Sequence, residues 1–292
     1  MGTTRREFLA YSGAAALALP LTGSLGAGAV LAAPEAAKKT KYVRVACRTG
    51  NLADSISALA RAKKLGLDGI EIEAGSARDQ LECSDADAQK RFLEEVQKTG
   101  VALSSICMGL CNSNPVFSDP RAKSWLEQTV DATAALGAKA ILVAFFGSGD
   151  LKGKPDAQAK TIEVVKSVAD RAEKKGVALC LENRLSAEEN ISMVDKIGSP
   201  AVRVYYDIGN SAGGGYDVPK EIRMLGTKYI PIFHFKDGNA LLGQGRIDMA
   251  AVGQAVREIG YDGWIVLETG EPLGRDLSLA YNAGFTRGLL AY

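Results

Sequence analysis

From residue 42 onward, short apolar runs alternate with longer stretches in which apolar residues recur every three or four positions. The first pattern predicts buried strands and the second amphipathic helices. Strands are expected at 42–47, 69–73, 101–107, 140–146, 177–181, 202–206, 264–267 and in 230–237, where the run passes into a loop. Helices are expected at 53–64, 86–99, 119–136, 155–175, 187–197, 219–225, 249–259 and 275–290. Boundary chemistry supports these limits. Gly100, Gly137 and Gly176 follow three of the helices, and Ser118-Asp119-Pro120 opens the third. Ser186 with Glu189 three residues on forms a capping box, and Asp248 stands before the helix at 249. The glycine-rich stretch 209–215 is read as a loop.

The strand runs are apolar throughout rather than alternating, as expected when helices cover both faces of a parallel sheet. Strict alternation of strand and helix at this length allows a closed (β/α)8 barrel or an open doubly wound sheet. An open dinucleotide-binding sheet would carry Gly-x-Gly-x-x-Gly after its first strand, and nothing of that form follows 42–47. The expected fold is therefore α/β, a (β/α)8 TIM barrel in a single domain spanning 41–292.

Composition changes the picture mainly at the start of the chain. Arg5-Arg6 precedes a weakly apolar stretch rich in Ala, Gly and Leu, and Val30-Leu31-Ala32 offers a small-x-small cleavage site. Residues 1–33 are read as a twin-arginine (Tat) signal peptide, which implies a periplasmic or otherwise extracytoplasmic protein with no stable membrane span once the signal is removed. Removing Arg5, Arg6 and Glu7 leaves acidic and basic residues equal in number. A neutral chain without basic runs is a poor partner for nucleic acid. The five cysteines are an odd number, which argues against a complete disulfide framework, although Cys107 and Cys111 are spaced to pair in an oxidising compartment. A homo-oligomer is compatible with the sequence.

The candidate chemistry lies in four strand runs. The chain has one histidine, His234, toward the end of the apolar, aromatic run 230–237. Three other runs close on an acid: Glu182, Asp207 and Glu268. In a parallel barrel the C-terminal strand ends gather on one face, so these residues of strands five to eight are brought together there. The residues two positions earlier, Cys180, Tyr205, Ile232 and Val266, share a face with them. If those four fill the barrel interior, the polar four point to its mouth. Singly, each has a plain structural alternative: a hydrogen-bonded core histidine, a helix cap, an ion pair or a turn. Together they form a divalent-metal site. Three carboxylates and one imidazole suit Mn²⁺ first, then Mg²⁺ or Co²⁺, with Zn²⁺ compatible outside a sulfur-based structural site. Glu182 and Glu268 are the expected catalytic pair, each binding metal through one oxygen and handling a proton with the other.

At these residues the chain resembles the xylose isomerase-like TIM-barrel superfamily, the sugar isomerase and epimerase group that includes the ketose 3-epimerases. The resemblance covers nearly all of 41–292. It rests on Leu181-Glu182-Asn183, Tyr206-Asp207-Ile208-Gly209-Asn210, Phe233-His234-Phe235-Lys236-Asp237, the loop 243–248 and the run 260–268. It implies Glu182, Asp207, His234 and Glu268 as metal ligands, with the two glutamates as acid and base. It departs from the epimerases where they carry a histidine shortly after the aspartate ligand, here Asn210, and an arginine past the histidine ligand, here Ala240.

The implied activity is isomerisation or epimerisation of a non-phosphorylated carbohydrate or polyol by proton abstraction beside a carbonyl. A lyase or dehydratase acting on a keto-sugar or keto-glycoside, and a non-catalytic sugar-binding barrel, are the alternatives. Asn183, Asn210, Lys236, Arg246 and Glu73 are the expected substrate contacts. Glu71 shares a strand face with Glu73, and pairing of these acids with a lysine is the structural alternative.

Overall fold

The structure, a computed structural model, describes residues 43–291. The expected export signal, residues 1–33, lies outside the described residues. Eight parallel strands pair in chain order, and the eighth closes on the first, so the sheet is a closed barrel. The strands are β1 (Arg44–Asn51), β2 (Gly69–Glu73), β3 (Ala102–Met108), β4 (Ala140–Ala144), β5 (Ala178–Glu182), β6 (Val202–Asp207), β7 (Ile232–Phe235) and β8 (Trp264–Leu267). Around them lie α1 (Leu52–Lys64), α2 (Ala86–Thr99), α3 (Ala122–Ala135), α4 (Pro155–Lys175), α5 (Ala187–Ile197), α6 (Ile208–Gly213), α7 (Val218–Tyr229), α8 (Met249–Glu258) and α9 (Arg275–Leu290). None of the described helices is long and apolar enough to cross a membrane.

Among the boundaries that differ from the sequence reading, three have a local reason. The stretch 209–215 is not all loop: Asp207 accepts from the backbone N–H of Asn210 and starts the short helix α6. An aspartate cap outweighs the low helix propensity of the glycines beside it. Helix α3 begins at Ala122 rather than 119, because Asp119 is engaged in a turn that binds the backbone and guanidinium of Arg121. Strand β1 runs on to Asn51, past the expected end at Cys47, and its extension pairs with β2 through Arg48↔Glu71 and Asn51↔Glu73. The capping box at the start of α5 is present in full.

The apolar residues divide between two cores. One lies between sheet and helices and includes Ile70, Ile106, Val143, Leu181, Phe233 and Trp125. The other fills the barrel interior with Ala46, Leu142, Cys180, Tyr205, Ile232 and Val266 among its members. Cys180, Tyr205, Ile232 and Val266 thus occupy the interior, as their spacing from the candidate ligands requires. All five cysteines are free and buried, so Cys107 and Cys111 are not joined.

Candidate metal centre

Strand alternation places the next inward residue of each strand one layer above the interior core. On β5, β6 and β7 these are Glu182, Asp207 and His234, and Glu268 directly follows β8. Asp207 and His234 sit opposite each other in the β6–β7 register. One ligand atom from each of Glu182, Asp207, His234 and Glu268 lies within 4.8 Å of the others. The Nδ1 of His234 faces all three carboxylates, at 3.2 Å from Glu182 Oε1, 3.5 Å from Glu268 Oε2 and 3.7 Å from Asp207 Oδ2. The histidine is fully buried, and Glu182 and Asp207 nearly so.

The donor set fits a divalent cation on grounds of its own. Asp207 Oδ1 is engaged in capping α6, and its buried Oδ2 faces only the ammonium of Lys236 and the imidazole of His234. A buried carboxylate oxygen without a donor is costly unless a cation meets it. Here the ammonium of Lys236 does so, 2.8 Å from Asp207 Oδ2 and 2.7 Å from Glu268 Oε2. Its side chain passes over Gly209, where any Cβ would collide with the lysine stem. Three hard oxygen donors and one imidazole nitrogen match the preferences of Mn²⁺ or Mg²⁺, and sulfur is absent from the set.

Burial raises the Glu182 carboxyl to about 7, against the opposing hydrogen bond and charge of His234; the charges of Asp207 and Glu268 push it the same way as burial. Burial also acts to raise Asp207, but the imidazole of His234 and the charge of Lys236 beside it hold it below the ordinary carboxylate range. Burial acts to lower His234, and Glu71, Asp207 and Glu182 together overcome this and push it well above its usual value. Two similar acids in one cluster are thereby set apart, Asp207 firmly ionised and Glu182 able to carry a proton near neutrality.

A cavity of about 150 Å³ opens above this cluster, with Arg48, Cys107, Phe146, Asn210 and Lys236 in its wall beside Glu182 and Glu268. Of the expected substrate contacts, Asn210 and Lys236 line it, and the Asn210 amide donates to Glu182 Oε1 at 3.2 Å. Glu73 is not in the wall and is paired with Arg48, which is. Asn183 turns into the β5–α5 loop, where its amide bonds Asn190 and the backbone of Leu185. Arg246 is exposed, on a loop whose backbone N–H groups are held by Asp237.

One residue of the site, Arg48, went unread in the sequence, and the partners of a second, Glu71, differ from the expected lysine. Arg48 forms ion pairs with Glu268, Glu73 and Glu71, so an arginine does reach the mouth, from β1 rather than from the loop after β7. Its signal was there: Arg48 lies two positions beyond the interior residue Ala46. Glu71 pairs with His234 and Arg48, not with a lysine.

The geometry agrees with comparisons to known proteins. Residues 59–287 match the family model described as xylose isomerase-like TIM barrel. A D-psicose 3-epimerase of Agrobacterium fabrum is 24% identical over 242 residues, covering 75% of this chain and 82% of that protein. A 2-epi-5-epi-valiolone 7-phosphate 2-epimerase of an Actinoplanes species is 26% identical over 214 residues, covering 68% and 78%. A crystal structure of D-psicose 3-epimerase obtained in the presence of D-fructose superposes with a TM-score of 0.73 at 18% identity, over 85% of this chain and 99% of that one. With a closed eight-stranded barrel, donors gathered at its C-terminal mouth and a family match across most of its length, the chain belongs to the xylose isomerase-like TIM barrel family.

Proposed function

We propose that this chain is a sugar epimerase or isomerase that uses a divalent metal ion, Mn²⁺ first, to move a proton on a carbon beside a carbonyl. The observation that carries the reading is the meeting of Glu182, Asp207, His234 and Glu268 beneath one cavity. A divalent ion held by these four would stabilise the negative oxygen that forms when the adjacent C–H bond loses its proton.

The chain's own residues supply the rest. Glu182, raised to about 7 by burial, can accept or release a proton at neutral pH. Glu268 stands on another strand of the same mouth, held by Arg48 and Lys236. A sugar between the two glutamates would lose a proton to one and regain it from the other, which inverts a stereocentre when they serve opposite faces. Asn210 steadies Glu182, and Phe146 gives the cavity an apolar wall for the sugar's C–H face.

The cations favour a non-phosphorylated substrate. The two that line the cavity are both committed to carboxylates, Arg48 to Glu71, Glu73 and Glu268, and Lys236 to Asp207 and Glu268. A divalent ion on Asp207 and Glu268 would unseat Lys236, but Arg48 would keep Glu71 and Glu73, and a phosphate dianion would have to displace those pairs to use it. The twin-arginine pattern at Arg5-Arg6 supports the same reading, since an exported protein would work away from the phosphorylated sugars of the cytoplasm.

The test is solvent exchange. Mn²⁺-loaded protein in D₂O with free ketoses and 3-keto-glycosides should introduce deuterium at one sugar carbon and give the epimer or isomer. Glu182→Gln and Glu268→Gln should each abolish exchange. Release of water or an aglycone in place of an isomer would turn the reading to a lyase, and metal binding without exchange on any sugar of the panel would favour a binding barrel.

A further inference from the structure

Below the four donors lies a carboxylate that faces neither cavity nor solvent. Glu71 projects from β2 into the barrel interior and is 1% exposed. Four groups meet its two oxygens. Ser105 Oγ and Tyr205 OH each donate to Oε2 at 2.7 Å, while His234 Nε2 is 3.0 Å and Arg48 Nε 3.3 Å from Oε1. An isolated buried carboxylate is strongly unfavourable, so an arrangement that surrounds one with donors serves a specific purpose or imposes a large cost. The donors are themselves fixed. Tyr205 packs edge-on against the His234 ring at 4.5 Å between centroids, and Ser105 is the β3 register partner of Glu71.

This carboxylate reaches the two ends of the cluster. Through Oε1 it takes the Nε2–H of His234, which leaves Nδ1 as the nitrogen aimed at Glu182, Asp207 and Glu268. The same oxygen holds Arg48, whose guanidinium grips Glu268. Two donors, from β7 and β8, are thus oriented from one point on β2. An imidazole free to rotate about its χ2 bond would offer either nitrogen to an ion, and a single buried acceptor on one side removes that choice.

We propose that Glu71 is a positioning residue for the metal centre: it fixes His234 as the Nε2–H tautomer with Nδ1 toward the ion, and through Arg48 it fixes Glu268. The proposal rests on the reading of the four donors as a metal site. It assigns Glu71 no contact with substrate or ion.

His234 is the only histidine in the chain, so a histidine-labelled sample without an affinity tag gives one imidazole whose tautomer can be read directly. The experiment compares the wild type with Glu71→Gln and Glu71→Leu in two measurements. One is Mn²⁺ affinity by calorimetry. The other is the ¹⁵N spectrum of the imidazole with Zn²⁺ as a diamagnetic probe. The wild type should show one Nε2–H tautomer, with that proton slow to exchange and the Nδ1 signal shifted by metal.

Glu71→Leu, which keeps the volume and removes every acceptor, should lose about 10- to 100-fold in Mn²⁺ affinity and show exchange between tautomers. Glu71→Gln keeps one acceptor oxygen and should fall between the two. If Glu71→Leu does not fold, Glu71→Gln carries the test alone, because a neutral acceptor should weaken the Nε2–H bond enough to speed its proton exchange. Tyr205→Phe, which removes a partner of Glu71 but leaves the acceptor for His234, should keep the wild-type tautomer. Glu71 variants that bind Mn²⁺ as the wild type does, with the same tautomer and exchange rate, would overturn the proposal and leave the metal reading intact. A wild type that binds no Mn²⁺ would overturn the metal reading first, and the proposal with it.

Discussion

Metal uptake at this site is predicted to depend steeply on pH, because two of its donors hold protons in the metal-free protein. Glu182 is raised by burial to about 7, and His234 is held protonated well above its usual value by the carboxylates around it. An ion that takes an oxygen of Glu182 and the Nδ1 of His234 must displace both protons, so affinity falls as pH falls. Below about pH 7 the Glu182 proton competes with the ion in addition to the histidine proton, so the slope of log affinity against pH steepens by about 1 there. Between about pH 8 and pH 6 Glu182 accounts for roughly 10-fold, about 1.4 kcal/mol, and the histidine proton adds to it. Calorimetric titration with Mn²⁺ in buffers of different ionisation enthalpy counts the protons released. Glu182→Gln should remove the bend near neutrality and keep the histidine slope. An affinity that changes by less than about tenfold over this range, with no proton released, would refute the assignment of these two residues as ligands.

Three further outcomes follow from particular contacts. Asp207→Asn should keep α6, because asparagine caps as well as aspartate, while Mn²⁺ affinity falls by about 100-fold or more; circular dichroism and titration separate the two effects. Glu71 is held down to about 2 by His234 and Arg48 against its burial, from an ordinary 4.5, so its contribution is present above about pH 4.5 and lost as pH falls through about 2. Urea unfolding of the metal-free protein should then show Glu71 contributing about 3 kcal/mol at pH 5 that is gone near pH 2, and Glu71→Gln should lack that part of the pH dependence. Glu221 is buried and accepts from Ala187 N, Tyr206 OH and Ser211 Oγ, tying α5, α6 and β6 to α7. Glu221→Leu strands the Ala187 N–H and the Ser211 hydroxyl, while Tyr206 OH keeps Ser211 Oγ at 2.9 Å, and should cost about 2 kcal/mol or more in urea unfolding, with a loss smaller than about 1 kcal/mol arguing that the loops relax freely.

The residues that could be read from the sequence are those whose placement follows from one regular feature. A parallel barrel puts every strand end on the same face, so acids closing β5, β6 and β8 and a histidine in β7 had to meet once the alternation was recognised. The interior places of Cys180, Tyr205, Ile232 and Val266 followed from the two-residue repeat alone. What escaped depends on pairings that no local pattern encodes. Arg48 was hidden because β1 turns polar where it leaves the core, and polar residues after an apolar run read as a loop. Its extension is held by β2 through ion pairing, a long-range contact. Glu71 was placed on the correct face, but its partners come from β1, β3, β6 and β7, far apart in sequence. Helix α6 was masked by three consecutive glycines, and its cap is the same aspartate that serves as a candidate ligand.

The account rests on four side chains from four strands holding one divalent ion. Anomalous diffraction at the manganese edge from Mn²⁺-loaded crystals tests this most directly. The predicted result is a single strong peak bonded to Glu182, Asp207, Glu268 and the Nδ1 of His234, with Nε2 still on Glu71. No peak at the barrel mouth, or an ion bound elsewhere while Lys236 remains seated between Asp207 and Glu268, would contradict it.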